Sequence, residues 1–333
     1  MRMKNFYDVT LRDGNHAIRH SLSPDFVKRY CSTASESDVW AVEVGHGNGL
    51  GASSYLVGES KYSDYELLEA ARNSLNLGGP KLAVHTIPGF ATVKRDLIPA
   101  IDLGVEIFRV ATHVSEASVA KRHIEYLANK EVIVHGVLMM SHMIDIRGLI
   151  HQIKLMESYG ATAIILMDSA GYFLPVDVED RVKAIKLETE VSLGFHAHNN
   201  LGVAVSNAET AIKFGAEIID GASMGFGAGA GNAQLENILA TRLRLGDEID
   251  IAPYLRMSLL VEEGFMDNLP RTTSSSTQSG LSGVFSGYAP QVKQISAELG
   301  LDVNILWDEL GKRKLVAGQE SMIREVAQDL MNL

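Results

Sequence analysis

Short apolar runs rich in β-branched residues recur along the chain, and each is followed by a longer segment whose apolar positions have helical spacing. Eight such runs occur, at residues 5–10, 39–45, 81–87, 105–113, 131–140, 162–168, 191–198 and 216–224. Alternating strands and helices build parallel sheets through right-handed crossovers, and eight units close a barrel. The pattern therefore predicts an α/β fold, a (β/α)8 TIM barrel, with a doubly wound open sheet as the competing architecture.

The pattern changes after about residue 265. Residues 269–290 are rich in Ser, Thr and Gly, and the helical stretches PQVKQISAELG, VNILWDELGKRK and SMIREVAQDLMNL follow. We predict a TIM-barrel catalytic domain over residues 1–265 and a small helical C-terminal domain over residues 266–333, whose first loop reaches back over the barrel mouth. A flexible linker with a packing appendage is the alternative.

Composition narrows the class of protein. The 333 residues are 46% apolar, and 30 basic against 41 acidic residues give a net charge of −11. No basic block suggests a nucleic-acid partner, and no apolar run is long enough to span a membrane. The single cysteine, Cys31, cannot form an internal disulfide. We therefore expect a globular cytoplasmic protein that binds neither nucleic acid nor membrane.

Metal-ligating side chains follow two of the predicted strands. The first strand leads into TLRDGNH, which places Arg12, Asp13 and His16 at the barrel mouth, and the seventh carries His196 and His198. Strand residues two apart point to one side, and a carboxylate with two imidazoles can hold a divalent cation. Arg12 and Asp13 could instead form a surface ion pair, and the two histidines could be core residues.

Further polar residues lie at the predicted mouth: Glu43, His46, Arg109, His113, His142, Asp168, Ser169, and the run GFGAGAGN that ends at Asn232. The glycine run does not follow the first strand, as a dinucleotide-binding loop should, and is better suited to bring backbone amides near an anion. His135, Met139, Met140, Met156 and Met167 are most simply core residues.

Several motifs resemble one known family. DVTLRDGNHAIRH, EVGHGNGL, FRVATH, LMMSHM, KLMESYGA, MDSAG, HAHNNLG, GAGAGNAQLE and AGQESM together resemble the 4-hydroxy-2-oxovalerate aldolases. These belong to a wider group of metal-dependent barrels that includes 3-hydroxy-3-methylglutaryl-CoA lyase and isopropylmalate synthase. The resemblance implies a divalent metal, Mn²⁺ by preference and Mg²⁺ or Co²⁺ as alternatives, at Asp13, His196 and His198. Asn232 matches a metal ligand of the lyase branch and is a further candidate.

The resemblance also implies a reaction, the cleavage of a 4-hydroxy-2-oxo acid to pyruvate and an aldehyde. Metal and Arg12 would stabilise the pyruvate enolate, and His16 would take the C4 hydroxyl proton. Ser169 is expected to touch the pyruvate carboxylate, and Glu43 to orient Arg12.

Two departures from the family pattern concern the substrate. The family has a tyrosine in GVYSS where this chain reads GVFSG, with Phe285. Either Tyr288 replaces that hydroxyl from a shifted loop or the contact is absent. The family's leucine run before PG is replaced by HTIPG, so His85 would make the aldehyde side more polar. We hypothesise an aldehyde other than plain acetaldehyde.

Family members pair with an acylating aldehyde dehydrogenase through the C-terminal domain, and the resemblance implies such a partner here. We expect this chain to form a homo- or hetero-oligomer.

Three alternative functions stay open at this point. A Claisen-type acyltransferase, of the isopropylmalate or citramalate synthase kind, would release thiol from acetyl-CoA. A non-catalytic subunit would lack turnover, and a sugar-phosphate enzyme would require phosphate on its substrate.

Overall fold

The computed structural model describes residues 5–316 and 319–332, so Ala317 and Gly318 of the AGQESM motif lie outside the described residues. Eight parallel strands form a closed barrel in chain order, and the last strand pairs with the first. The strands are β1 Asn5–Asp8, β2 Ala41–Glu43, β3 Lys81–Thr86, β4 Ile107–His113, β5 Ile133–Met139, β6 Ala163–Asp168, β7 Ser192–Ala197 and β8 Ile218–Gly221.

Helices surround this barrel and continue beyond it. Those up to residue 265 are α1 Thr10–Asp13, α2 Pro24–Ala34, α3 Asp64–Arg72, α4 Ile98–Asp102, α5 Lys121–Ala128, α6 Ile146–Ser158, α7 Pro175–Glu188, α8 Ala204–Phe214, α9 Leu235–Arg244 and α10 Ala252–Phe265. Four more follow, α11 Ser274–Ser282, α12 Ala289–Leu299, α13 Val303–Lys312 and α14 Glu320–Met331.

The predicted TIM barrel is confirmed. Every predicted strand is present, although all eight are shorter than the apolar runs, and the pairing of β8 with β1 excludes a doubly wound open sheet. The segment over residues 269–290 differs from the prediction of a loop because it contains α11. Thr273 caps that helix by accepting a hydrogen bond from the Ser276 backbone amide at 3.1 Å, which offsets the weak helical preference of the serines.

Alternation along the strands decides what fills the barrel. Inward positions near the strand starts are apolar, as at Ala41, Ala83 and Ile107, and these residues form one buried cluster. The next inward position on the same strands is polar, and the corresponding residues are Glu43, His85 and Arg109. The chain thus builds an apolar floor and a buried polar layer above it, towards the ends of the strands where barrel active sites form.

The last four helices enclose an apolar cluster of their own. Trp307, fully buried, packs there with Leu306, Leu310 and Ile323, and its indole N–H donates to the Ser275 hydroxyl at 2.8 Å. Among the described residues, no helix is long and apolar enough to cross a membrane.

Buried His135 provides a test of the polar interior. Its ring packs against the rings of Tyr7 and Trp40, and burial lowers its pKa from the ordinary 6.5 to about 3. Acid therefore protonates this histidine in the unfolded chain first, and stability is lost as the pH falls below 6.5. Between pH 7.5 and pH 5 we expect the free energy of unfolding to fall by about 2 kcal/mol more in the wild type than in His135→Leu.

Urea denaturation at the two pH values measures this difference. The control is His151→Leu on the surface of α6, where the imidazole is exposed and the pH dependence should match the wild type. Parallel pH dependences for the wild type and His135→Leu would show that His135 is not held neutral by burial.

Candidate metal centre and active site

The turn after β1 fixes the first site residues. The Asp8 carboxylate accepts hydrogen bonds from the Thr10 backbone amide at 2.8 Å and from the Tyr30 hydroxyl at 2.6 Å. Burial raises the pKa of Asp8 to about 6. The Asp13 amide in turn donates to the Val9 carbonyl at 2.8 Å. This tight turn forms α1 and directs buried Arg12 and Asp13 into the barrel mouth.

Asp13, His196 and His198 meet in one cluster. One carboxylate oxygen and one nitrogen from each imidazole all lie within 4.8 Å of one another, and all three residues are buried. The Nε2 atoms of the two histidines are 3.4 Å apart, which is the arrangement expected from their two-residue spacing in extended backbone at the end of β7.

The protonation states of the cluster suit metal binding. Burial alone would raise the pKa of Asp13, but Arg12 and the nearby histidines overcome this effect and hold it well below its usual range. Burial lowers the pKa of His198 to about 4, so its imidazole is neutral at pH 7. A cation needs ionised carboxylates and neutral imidazoles as ligands, and Asp13 and His198 meet these conditions.

Asn232 supplies the strongest sign that the cluster is built for a cation. Its amide nitrogen donates to Asp13 at 2.7 Å and to the Phe226 carbonyl at 3.1 Å. Its amide oxygen is buried and has no hydrogen-bond partner among the described residues. Buried polar atoms are nearly always paired, so this oxygen suits a fourth ligand position. The residues present therefore fit a divalent metal ion.

Arg12 is held beside the cluster with one nitrogen to spare. Its Nε donates to Glu43 at 2.6 Å, as predicted for Glu43, and its Nη1 donates to Asp13 at 2.5 Å and to the Gly47 carbonyl at 3.3 Å. The Nη2 atom is buried without a partner in the part of the chain that is described. Arg12 can therefore donate a hydrogen bond to a ligand without losing its other contacts.

His16 packs closely against Gly47. A side chain at position 47 would come within 2.5 Å of the His16 ring, so glycine is required there. The ring also meets His20 edge to face at 5.1 Å, and His20 stacks on His46 at 3.6 Å. Burial lowers the pKa of His16, so the imidazole is neutral and able to accept a proton at pH 7.

A cavity of about 810 Å³ opens from His16 towards the surface. Ser169 lies on its wall, and the Ser169 hydroxyl oxygen accepts the Met140 amide at 3.0 Å. Met140 is buried as expected and Met139 is partly buried against the apolar cluster of the barrel, and both also line the cavity because β5 ends at the barrel mouth. His135, Met156 and Met167 are buried as expected.

The residues that depart from the family pattern take different positions. Phe285 lies on the cavity wall. The expectation that Tyr288 contacts substrate is wrong, because its ring is buried among the C-terminal helices and its hydroxyl donates to the Val316 carbonyl. His85 is buried with its Nδ1 atom 3.7 Å from Glu43 and is not part of the cavity wall. Its role towards substrate stays a prediction.

Sequence reasoning missed Asp220. The carboxylate of this buried β8 residue lies 2.9 Å from the Nδ1 atom of His196. It also accepts two hydrogen bonds from the Arg109 guanidinium. The available signal was the aspartate inside the apolar run AEIIDGASM, because a charged inward residue of a strand requires a buried partner.

The remaining polar residues expected at the mouth serve the loops. The Asp168 carboxylate accepts the amides of Tyr172 and Phe173 at 2.9 and 3.0 Å. His113 lies on the cavity wall, and the His142 Nε2 atom bonds to the Gly283 carbonyl at 3.0 Å. These contacts shape the rim of the cavity.

Asn200 connects the segment that carries His198 to the C-terminal helices. It follows His198 by two residues, and its amide nitrogen donates to the Ser276 carbonyl at 3.0 Å. Its amide oxygen accepts the Ser286 hydroxyl at 3.0 Å. The segment that carries Phe285 is therefore fixed directly to the loop that follows His198.

Comparisons with known proteins agree with this geometry. Residues 4–261 match the family model described as HMGL-like, and residues 270–332 match the DmpG-like communication domain. The chain is 50% identical to a 4-hydroxy-2-oxovalerate aldolase of Spirochaeta aurantia, over 97% of this chain and 95% of that protein. It is 48% identical to the protein of that name from Pectobacterium atrosepticum, over 97% and 94%.

A solved structure is similar in fold. The carboxyl transferase domain of Rhizobium etli pyruvate carboxylase superposes with a TM-score of 0.81, covering 99% of this chain and 60% of that one at 15% identity. At this identity the likeness concerns the fold alone.

Gly227 tests the geometry of the cluster. A Cβ atom at this position would lie 2.1 Å from the Asn232 amide nitrogen and 2.3 Å from the Asp13 carboxylate. We expect Gly227→Ala to weaken Mn²⁺ binding at least 10-fold, measured by isothermal titration calorimetry, since displaced ligands lose metal affinity. The control Gly148→Ala, in α6, brings its Cβ no closer than 3.1 Å to another atom and should bind Mn²⁺ like the wild type. Equal affinities in both variants would contradict the proposed ligand positions.

Proposed function

The chain belongs to the HMGL-like family and, within it, to the 4-hydroxy-2-oxovalerate aldolases, and from this premise we propose how its residues perform the reaction. The chain is a carbon–carbon lyase that cleaves a 4-hydroxy-2-oxo acid by retro-aldol chemistry. With 4-hydroxy-2-oxovalerate, breaking the C3–C4 bond gives pyruvate and acetaldehyde. The relatives favour this reading over the acyltransferase alternative.

His16 acts as the general base. Its neutral imidazole lies on the cavity wall and accepts the C4 hydroxyl proton as the C3–C4 bond breaks. The bonding electrons pass to C3 and C2, so negative charge develops on the C2 oxygen of the pyruvate enolate. Arg12 donates its unpaired Nη2 hydrogen to that oxygen, while Ser169 contacts the carboxylate of the substrate.

The metal ligands are Asp13, His196 and His198, with the Asn232 amide oxygen in a fourth position. A bound divalent cation supplies Lewis-acid stabilisation of the charge that develops on the substrate. Mn²⁺ is the proposed ion, with Mg²⁺ and Co²⁺ as alternatives. The protein holds the donor atoms in place before the cation binds, because Arg12 and Asn232 both hydrogen-bond to Asp13.

One observation carries the proposal most directly. Arg12 is bonded through Nε and Nη1 to Glu43 and Asp13, and its remaining Nη2 is buried without a hydrogen-bond partner among the residues that the structure describes. A buried guanidinium that keeps one donor free beside a metal cluster and a neutral base is arranged to stabilise an oxyanion.

The C-terminal region is proposed to meet a partner. Residues 1–265 form the catalytic domain in this proposal, and residues 266–333 dock an acylating aldehyde dehydrogenase that consumes the aldehyde in a hetero-oligomer. The match to a communication domain supports this view. Phe285, Gly287 and Pro290 of this region also line the cavity, so the aldehyde leaves past the docking domain.

Metal dependence and His198 test the function. Protein treated with EDTA should release no pyruvate from 4-hydroxy-2-oxovalerate, and added Mn²⁺ should restore release in a coupled lactate dehydrogenase assay. His198→Ala removes a metal ligand and should abolish the restored activity, whereas His151→Ala on the surface of α6 should leave it unchanged. Absence of pyruvate with every metal, or thiol release from acetyl-CoA in its place, would contradict the aldolase assignment.

Arg12 tests transition-state stabilisation. Arg12→Met should lower kcat and kcat/KM together by about 100- to 1,000-fold, because the lost hydrogen bond is strongest when the oxygen is negative. Arg12→Lys keeps the charge and should recover part of the loss. Arg244→Met, at an exposed position of α9, is the control and should leave kcat and kcat/KM unchanged. A rise in KM with kcat unchanged would assign Arg12 to substrate binding alone.

A further inference from the structure

A buried arginine and aspartate in the barrel take no part in the proposed reaction. The Arg109 guanidinium donates through Nη1 and Nη2 to the two carboxylate oxygens of Asp220, at 2.5 and 2.8 Å. Both side chains are almost completely buried, and the guanidinium lies over the Tyr7 ring at 3.3 Å from its centre. A two-point contact of this kind fixes the orientation of the carboxylate as well as its charge.

Asp220 also reaches a metal ligand. Its Oδ2 atom lies 2.9 Å from the Nδ1 atom of His196. The Asp220 carboxylate receives a guanidinium hydrogen bond from Arg109 at each of its oxygens, so it acts as a hydrogen-bond acceptor towards His196 as well. The contact therefore requires the proton of a neutral His196 on Nδ1, which leaves the lone pair of Nε2 for a cation.

Arg109 has a second neighbour that leads to Arg12. Its Nη1 atom lies 3.6 Å from the Oε2 atom of Glu43, whose other oxygen accepts Arg12 at 2.6 Å. A continuous series of charges thus runs from His196 through Asp220, Arg109 and Glu43 to Arg12. Asp13 lies beside Arg12 at the far end, so both ends of the series reach the metal cluster.

We propose that Arg109 and Asp220 are positioning residues that hold His196 in its metal-binding tautomer and orientation. This inference rests on the proposed metal site. Asp220 bonds directly to the ligand, and Arg109 acts through Asp220 by fixing its carboxylate. Neither residue contacts the substrate.

The first experiment measures Mn²⁺ affinity by electron paramagnetic resonance on the full chain. Asp220→Asn keeps the shape of the side chain but removes the charge that orients His196, and the dissociation constant should rise about 10- to 100-fold. Arg109→Lys keeps a positive charge with one contact in place of two, so it should raise the constant by a smaller factor.

Asp168→Asn is the matched control. Asp168 is as deeply buried as Asp220, but its carboxylate accepts only the Tyr172 and Phe173 amides among the described residues and does not contact a ligand histidine. The dissociation constant should stay within about threefold of the wild type, well below the change expected for a lost ligand partner. An equal loss in Asp168→Asn and Asp220→Asn would show a general effect of buried charge and overturn the inference.

The second experiment uses the wild type, so its result does not depend on whether a variant at position 220 folds. Nitrogen-15 NMR of the imidazoles in EDTA-treated wild type distinguishes the two neutral tautomers, and the spectrum of His196→Gln identifies the His196 signals. We expect the proton on Nδ1. A proton on Nε2 would overturn the inference.

The two experiments separate this inference from the metal proposal. If His198→Ala binds Mn²⁺ as tightly as the wild type, the metal site is wrong, and the tautomer alone decides the role of Asp220. If His198→Ala loses binding while Asp220→Asn keeps the wild-type constant, the metal site stands and the positioning role fails.

Discussion

Burying an ionised side chain costs several kcal/mol unless opposite charges and hydrogen bonds compensate it. The polar layer of this barrel encloses the carboxylates of Asp13, Glu43 and Asp220 together with the guanidinium groups of Arg12 and Arg109. Each carboxylate lies within 2.8 Å of a guanidinium nitrogen. Because these opposite charges compensate one another, the barrel can hold Asp13 and the Arg12 guanidinium in its interior beside His196 and His198.

The same compensation limits what the chain can change. Removing one member of a buried pair leaves an uncompensated charge, which costs about 3–5 kcal/mol, whereas an apolar barrel layer would carry no such liability. The apolar floor of Ala41, Ala83 and Ile107 supplies ordinary packing beneath the polar layer. The interior is therefore divided by depth into a part that stabilises the fold and a part that orients the site.

Local sequence patterns were enough to predict most of the fold and the residues at the centre of the candidate site. Strand periodicity predicted the eight strands, and the two-residue spacing of His196 and His198 predicted that they share a face. Asp220 and its pairing with Arg109 were not predicted, because the pairing joins strands 111 residues apart in the chain and depends on barrel closure. The position of Tyr288 depended on packing among the last helices, which the sequence of one loop does not determine.

The loop after His198 makes the barrel and the last helices mechanically interdependent. The Asn200 side chain donates a hydrogen bond to the Ser276 carbonyl and accepts one from the Ser286 hydroxyl, and its backbone follows His198 by two residues. Phe285, next to Ser286, lies on the cavity wall. Any displacement of the C-terminal helices must therefore break these two hydrogen bonds or move both the loop beside His198 and the wall of the cavity. The wall of the cavity thus includes residues of the C-terminal region.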